Sequence, residues 1–210
     1  MLQLITADRY NEFTDELTEM HRMRYRVFKE RLGWDVETAG DMEIDEFDAL
    51  MPSYLILRGH NGCLMGCVRF LPSTGPTMLH DAFPALLPNG PITGSAEVWE
   101  SSRFALDLHA DAPKGAGALA IPTYELFAGM VEFGLAHRLT KILTVTDVRM
   151  ERILRRAQWP LDRLGPARAI GNTMAVPGYL DVSNQALARL RSLGGFKGPV
   201  LWAPVVEVAA

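Results

Sequence analysis

"KILTVTDVRMERILRRAQ", Lys141 to Gln158, changes its period partway along. The first seven residues read as an apolar, β-rich strand, with Leu143 and Val145 on one face and Thr144 and Thr146 on the other. From Val148 the apolar residues Met150, Ile153, Leu154 and Ala157 line one side of a helix, and Arg149, Arg152 and Arg156 line another. Asp147 stands at the junction, where its carboxylate can cap the helix, and Glu151 suits the helix's positive end. A strand that feeds a helix directly places that helix against a sheet.

Working outward, an amphipathic helix precedes this stretch, from Leu119 to His137, after the turn-like "HADAPKGAGA". Nearer the amino terminus, a strand is expected at Met1–Thr6 and a long helix from Asp8 to Arg31, capped by Asp8 and ended by Gly33. Tyr54–Arg58 and Cys63–Leu71 flank "GHNG" and read as a β-hairpin, followed by a strand over Ala96–Leu106. Downstream, strands are expected around Ala167–Ala175 and Val200–Val208, with a helix over Ser183–Ser192 between them. A meander of strands followed by strand–helix alternation predicts an α/β fold, a mixed β-sheet flanked by helices in three layers. That pattern resembles the N-acetyltransferase sandwich. With 210 residues, 48% of them hydrophobic, the chain suits a single domain over 1–210.

A formal net charge of -4, with no basic tail, argues against nucleic acid as a partner. No apolar run is long enough to span a membrane, and "MLQLITADRYNEF" does not read as a signal peptide. Cys63 and Cys67, four residues apart in one strand, stand roughly 13 Å from each other, too far for a bridge. A reducing cytoplasm is the expected location. The five histidines show no metal-ligand spacing, no zinc pair of cysteines exists, and no serine has a G-x-S-x-G setting.

The departures from apolar pattern carry the functional signal. In the first helix Leu17, Met20, Arg24, Val27, Phe28 and Arg31 fall near one face, so arginines intrude on an apolar stripe; Arg22, Arg26 and Lys29 read as solvent-facing. A half-buried guanidinium needs a carboxylate. The segment Asp35–Ala49, read as a surface loop, supplies candidates, notably Asp45 and Asp48 in "EIDEFD". Arg69 interrupts the apolar strand "GCVRFLP". In "VWESSRF", strict alternation puts Glu100 and Ser102 on one face and Arg103 on the other, an assignment that a bulge would change. Ion pairing that merely pins a loop to a helix would explain part of this set equally well.

Taken in order, "RYRVFKERLGW" with Arg24, Phe28 and Trp34, "EIDEFD" with Asp45 and Asp48, "CVRFLP" with Arg69, and "ESSRF" with Glu100, Arg103 and Phe104 resemble the acyl-homoserine-lactone synthases, the autoinducer synthases of quorum sensing. "TGPTMLHDAFP" and "LTVTDVRMERILRRA" resemble the same family. The resemblance implies that S-adenosylmethionine, consumed as a substrate, and an acyl chain on acyl carrier protein become an acyl-homoserine lactone and 5′-methylthioadenosine, without cofactor or metal. It also implies roles. Glu100 is the expected base for the amine, and Arg103, Asp45 and Asp48 order the reacting groups. Arg24, Phe28, Trp34, Arg69 and Phe104 bind substrate. Thr144 and Thr146 line the acyl site, with Thr146 at the position associated with 3-oxo chains. Arg149, Arg152 and Arg156 would meet the acidic carrier protein.

A coenzyme A-dependent N-acyltransferase is the competing expectation. Its pyrophosphate loop, Q/R-x-x-G-x-G/A, is partly matched by "APKGAGA": Gly115 and Gly117 fit, while Ala112 stands where Gln or Arg belongs. That leaves acyl-coenzyme A open as a donor. A ligand-binding protein that keeps the fold without turnover is the non-enzyme alternative.

Overall fold

A computed structural model describes residues 2–59 and 61–202. Strands β1 (Leu2–Ile5), β4 (Ser53–Arg58), β5 (Leu64–Pro72), β6 (Val98–Leu106), β7 (Lys141–Asp147), β8 (Asp162–Arg163), β9 (Arg168–Ile170), β10 (Thr173–Asp181) and β11 (Leu201–Trp202) form one sheet. Its order is β11-β1-β4-β5-β6-β7-β10-β8, with β9 also paired to β10. Most neighbours are antiparallel; β6–β7 and β1–β11 are parallel, so the sheet is mixed as expected. A separate two-stranded ribbon joins β2 (Thr38–Ala39) to β3 (Met42–Glu43).

Helices cover both faces. On one lies α1 (Thr14–Arg24), which continues π-wound through Tyr25–Arg31; Met20, Met23, Val27 and Phe28 pack there on Tyr54, Ile56, Cys67 and Ala105. The other face carries α2 (Ile121–Ala136) and α4 (Asn184–Gly194), whose Phe127, Phe133 and Leu190 meet Leu55, Val68 and Phe70. Leu154 of α3 (Val148–Arg156) joins that second core. Three layers result, and each core-side Phe or Leu contributes about 1.5–3 kcal/mol by leaving water.

Local chemistry explains most boundaries. Asp147 caps α3 by accepting from the Met150 N–H at 2.7 Å, and Ser183 caps α4 through Ala186 N–H. Gly33, at φ +63°, ends the first helix as expected, with Trp34 N–H reaching back to the Phe28 carbonyl. Several expectations need correction. The first helix does not start at Asp8: Ala7–Glu12 is a 3₁₀ turn, and the chain kinks at Phe13 before α1. Arg31 leaves the apolar stripe, because π winding adds residues per turn; its guanidinium reaches Asp107 and the Leu106 carbonyl instead. α2 is buried nearly all round rather than amphipathic, and it approaches β1 so closely that a Cβ on Gly129 would lie 1.8 Å from Leu2. The single strand expected over Ala167–Ala175 is a hairpin turning at Gly171, φ +54°. Of the strand expected at Val200–Val208 only Leu201–Trp202 is described; the remainder lies outside the described residues. Cys63 is exposed, Cys67 is buried, and both are free.

Candidate active site

β6 is bulged. Cys67 faces Ala105 and Arg69 faces Ser102, so one residue of β5 stands opposite two of β6. Arg103 absorbs the extra residue at φ +53°, a left-handed conformation that costs a non-glycine residue about 1–3 kcal/mol. Alternation would have sent its side chain to the α2 face. The bulge returns it to the α1 face, beside Arg69 and Ser102.

There it closes a ring of six charges. Glu43 accepts from Arg24 Nε and, at 2.8 Å, from Arg103 Nε. Asp45 pairs with Arg69 and, at 2.7 Å, with Arg103. Asp48 takes the Arg24 fork at 2.9 and 2.8 Å and accepts from Arg69 Nη1 at 2.8 Å. Each carboxylate therefore joins two arginines and each arginine two carboxylates, so the ring is neutral. Arg24, Arg69 and Glu43 are fully buried, while Arg103 keeps 11% of its side chain exposed. Burial opposes ionisation of Asp48, but Arg24, Arg69 and the Tyr54 hydroxyl at 2.6 Å outweigh it and hold the carboxyl well below its ordinary range.

Glu43 was not expected at the site. It sits in the segment read as a surface loop, yet it shares a face with Asp45, two residues on, amid Met42, Ile44 and Phe47. An alternation of acids and apolar residues is the signal that could have found it.

Glu100 stands apart from the ring. It is 1% exposed, and its two oxygens accept from the N–H groups of Met78 and Leu79, each at 2.8 Å. Among the described residues no arginine or lysine pairs with it. Burial pushes its pKa up to about 7, against the opposing pull of the two N–H bonds. Arg69 also pulls it down through its charge, without a direct ion pair, and burial outweighs that pull.

β6 and β7 pair only from Val98 opposite Lys141 to Ser101 opposite Thr144, although both strands run on. A cavity of about 780 Å³ occupies the parting and touches both layers. Phe28 and Trp34 of one core and Phe104, Phe127, Met130, Met150 and Leu180 of the other line it, together with Met78, Glu100, Arg103 and Thr146. Phe28 and Trp34 stack at 5.2 Å with planes 11° apart, and the Arg103 guanidinium lies 5.7 Å from the Phe28 ring. Thr144 reaches the cavity but donates its hydroxyl to the Ser101 carbonyl at 3.1 Å; the Thr146 hydroxyl has no such bond among the described residues. Of the residues expected to touch substrate, Arg24, Arg69, Asp45 and Asp48 do not line the cavity: the ring consumes their polar atoms. They stand behind Arg103.

Arg149, Arg152, Arg155 and Arg156 are exposed on α3, and Arg149 also lines the cavity. Glu151, by contrast, is buried in a bidentate pair with Arg163 at 2.6 Å. The "APKGAGA" loop is folded on itself. N–H groups of Gly115, Ala116 and Ala118 donate to the carbonyls of Leu119, Leu193 and Gly115, and a Cβ on Gly117 would meet the Tyr124 hydroxyl at 2.1 Å. Its glycines serve packing, and few N–H groups are left to cradle a pyrophosphate.

Known proteins resemble this chain in sequence and fold. The sequence model of the family described as autoinducer synthase matches residues 8–190. A probable acyl-homoserine-lactone synthase of Sinorhizobium fredii is 43% identical over 187 residues, covering 89% of this chain and 90% of that protein. The crystal structure of the synthase LasI is similar with a TM-score of 0.79 at 34% identity, over 90% of this chain and 93% of that one. In fold alone, the coenzyme A-dependent synthase BjaI matches with a TM-score of 0.83 at 22% identity, over 96% of this chain and 92% of its own. A putative N-acetyltransferase of Lactobacillus plantarum matches at 0.55 and 12%, over 87% and 99%, in agreement with the sandwich expected from the strand pattern.

Proposed function

This chain belongs to the autoinducer synthase family and is an acyl-homoserine-lactone synthase, and from that premise we propose that it joins an acyl chain from acyl carrier protein to the amine of S-adenosylmethionine and then closes the lactone. The observation that carries the scheme is Glu100: a buried carboxylate with which no arginine or lysine among the described residues pairs, on the wall of a cavity that Arg103 and several apolar side chains also line.

An α-amine with a pKa near ~8 is mostly protonated at neutral pH, so it must lose a proton before it attacks a thioester. Glu100, titrating near 7, is matched to accept it, directly or through one water. The new N–C bond then forms as the C–S bond to the carrier breaks, and the departing thiolate takes up a proton. Lactonisation moves no proton: the carboxylate attacks the carbon beside the sulfonium, and methylthioadenosine leaves with the bonding pair. That step depends on folding the methionine part back on itself. Arg103 is positioned to steer the carboxylate, while Phe28 and Trp34 offer ring faces to the sulfonium, an attraction of roughly 0.5–2 kcal/mol. Arg24, Arg69, Asp45 and Asp48 act through Arg103 by holding it in place. S-adenosylmethionine is consumed, and the scheme needs neither cofactor nor metal.

The exposed arginines of α3 support an acidic carrier protein as donor, delivering its acyl chain to the mouth at Arg149. The spent N–H groups of the "APKGAGA" loop weigh against coenzyme A. A free Thr146 hydroxyl on the apolar wall supports a preference for 3-oxo chains. We assign the reaction to the cytoplasm, in keeping with two free thiols. Incubation of purified protein with S-adenosylmethionine and either acyl carrier protein or coenzyme A thioesters, followed by mass spectrometry, tests the scheme. Lactone and methylthioadenosine from the carrier-protein arm are expected; an acylated amine without lactone, or no turnover, overturns it.

A further inference from the structure

Met78 touches both the base and the ring. Its N–H donates to Glu100 Oε2, and its thioether sulfur lies 3.2 Å from Arg69 Nη2 and 3.2 Å from Arg103 Nη1. It is 6% exposed and lines the cavity. Any residue could supply the N–H. What the sulfur adds is a neutral, weak acceptor at the place where two guanidiniums point beyond their carboxylates.

Consider the donors. Arg69 spends Nε on Ser102, Nη1 on Asp45 and Asp48, and one bond of Nη2 on Asp45; Arg103 spends Nε on Glu43 and Nη2 on Asp45. The last donor of Arg69 and one Nη1 N–H of Arg103 end on sulfur. Glu100, whose own carboxylate is held next to Met78, is an anion they do not pair with, although the Arg69 charge already lowers its pKa through space. We propose that Met78 is a positioning residue that insulates Glu100, its thioether occupying donors of Arg69 and Arg103 that would otherwise form an ion pair with the base.

Other charged groups near Glu100 do not substitute for this device. Asp81, on the same segment as Met78, opposes ionisation of Glu100, but its carboxylate is held by the Thr77 N–H at 2.9 Å. From β5 comes Arg69 and from β6 itself Arg103; β7 places Leu143 opposite Glu100 and contributes no titratable group there. An arginine brought into contact would lower the carboxyl by about one to three units, leaving a poorer proton acceptor at neutral pH.

This inference rests on Glu100 being the base, but its test does not. In full-length protein labelled with ¹³C-glutamate, the Glu100 carboxyl resonance, assigned by its loss in E100Q, is titrated in wild type, M78L and M78V. Met78→Leu keeps the volume and removes the acceptor; Met78→Val cannot overpack the site. A fall of the Glu100 midpoint by about one to three units in either variant is expected. An unmoved midpoint in a folded variant, even with activity lost at every pH, overturns the proposal. The acidic limb of kcat/KM, measured on the same proteins, is expected to fall with the midpoint. Should the midpoint fall while the limb stays, insulation stands and the assignment of Glu100 as base fails.

Discussion

Arg103 and Glu43, sixty positions apart, meet at 2.8 Å only because Arg103 adopts a left-handed backbone that redirects its side chain across the sheet. The pair closes a neutral ring of three arginines and three carboxylates, from which Arg103 alone reaches the cavity. A cation so braced can face a substrate carboxylate without being free to follow it.

Replacing Glu100 by Gln removes the proposed proton acceptor at nearly constant volume. Amide formation is expected to slow by about 10²–10⁴-fold, with S-adenosylmethionine binding largely kept. In the wild type kcat/KM should rise with pH through about 7 as Glu100 ionises. Stability carries the opposite sign: the folded-state pKa lies above the unfolded value, so between about 4.5 and 7 the unfolded chain binds fewer protons and stability falls as pH rises. Urea titrations across that window should show a shallower slope in E100Q.

Asp48→Asn leaves Arg24 and Arg69 short of a counter-charge in a buried setting. A loss of about 3–5 kcal/mol is expected from urea denaturation at neutral pH. Because the folded-state pKa of Asp48 is depressed, its contribution is fully present above its ordinary value of 3.8 and is lost as pH falls below it. The gap between D48N and wild type should therefore narrow under acid conditions.

Charge reversal at Arg152, alone and together with Arg156, should raise the KM for acyl carrier protein by about tenfold or more at low salt. The effect should fade as salt rises, with kcat at saturating carrier little changed. Arg156 also donates to the Gly117 carbonyl, so the single Arg152 variant is the cleaner measurement.

Thr146→Val should cut discrimination between 3-oxo and unsubstituted chains by a factor of about 2 to 10, the worth of one hydrogen bond. Competition assays with paired donors read this ratio. Equal discrimination in variant and wild type would remove Thr146 from the acyl site.

How much could be read from the chain depended on whether chemistry left a mark in the order of residues. Charges placed on apolar runs did so: Arg24, Arg69, Glu100 and Arg103 each break a pattern, and the structure finds all four buried or nearly so. Layering was equally legible, since a strand running into a capped helix admits few arrangements. Glu43 escaped because it was counted with a loop's charge instead of against its apolar neighbours. Nothing local foretells the bulge at Arg103, where no glycine marks the left-handed residue, or the π winding after Arg24. Nothing in "TGPTMLHDAFP" singles out Met78, whose sulfur gains meaning only where two distant arginines converge on it.

The parting of β6 and β7 also divides the chain into two hereditary parcels. The ring, the proposed base and Met78 come from residues up to Leu106, whereas Phe127, Met130, Thr146, Met150 and Leu180 of the cavity wall come from residues after it. The exposed turn His109–Asp111 lies between. On the proposed scheme, recombination between relatives at that turn would exchange acyl repertoire while leaving the reaction centre intact, so new signals could arise by shuffling halves instead of by remaking the chemistry.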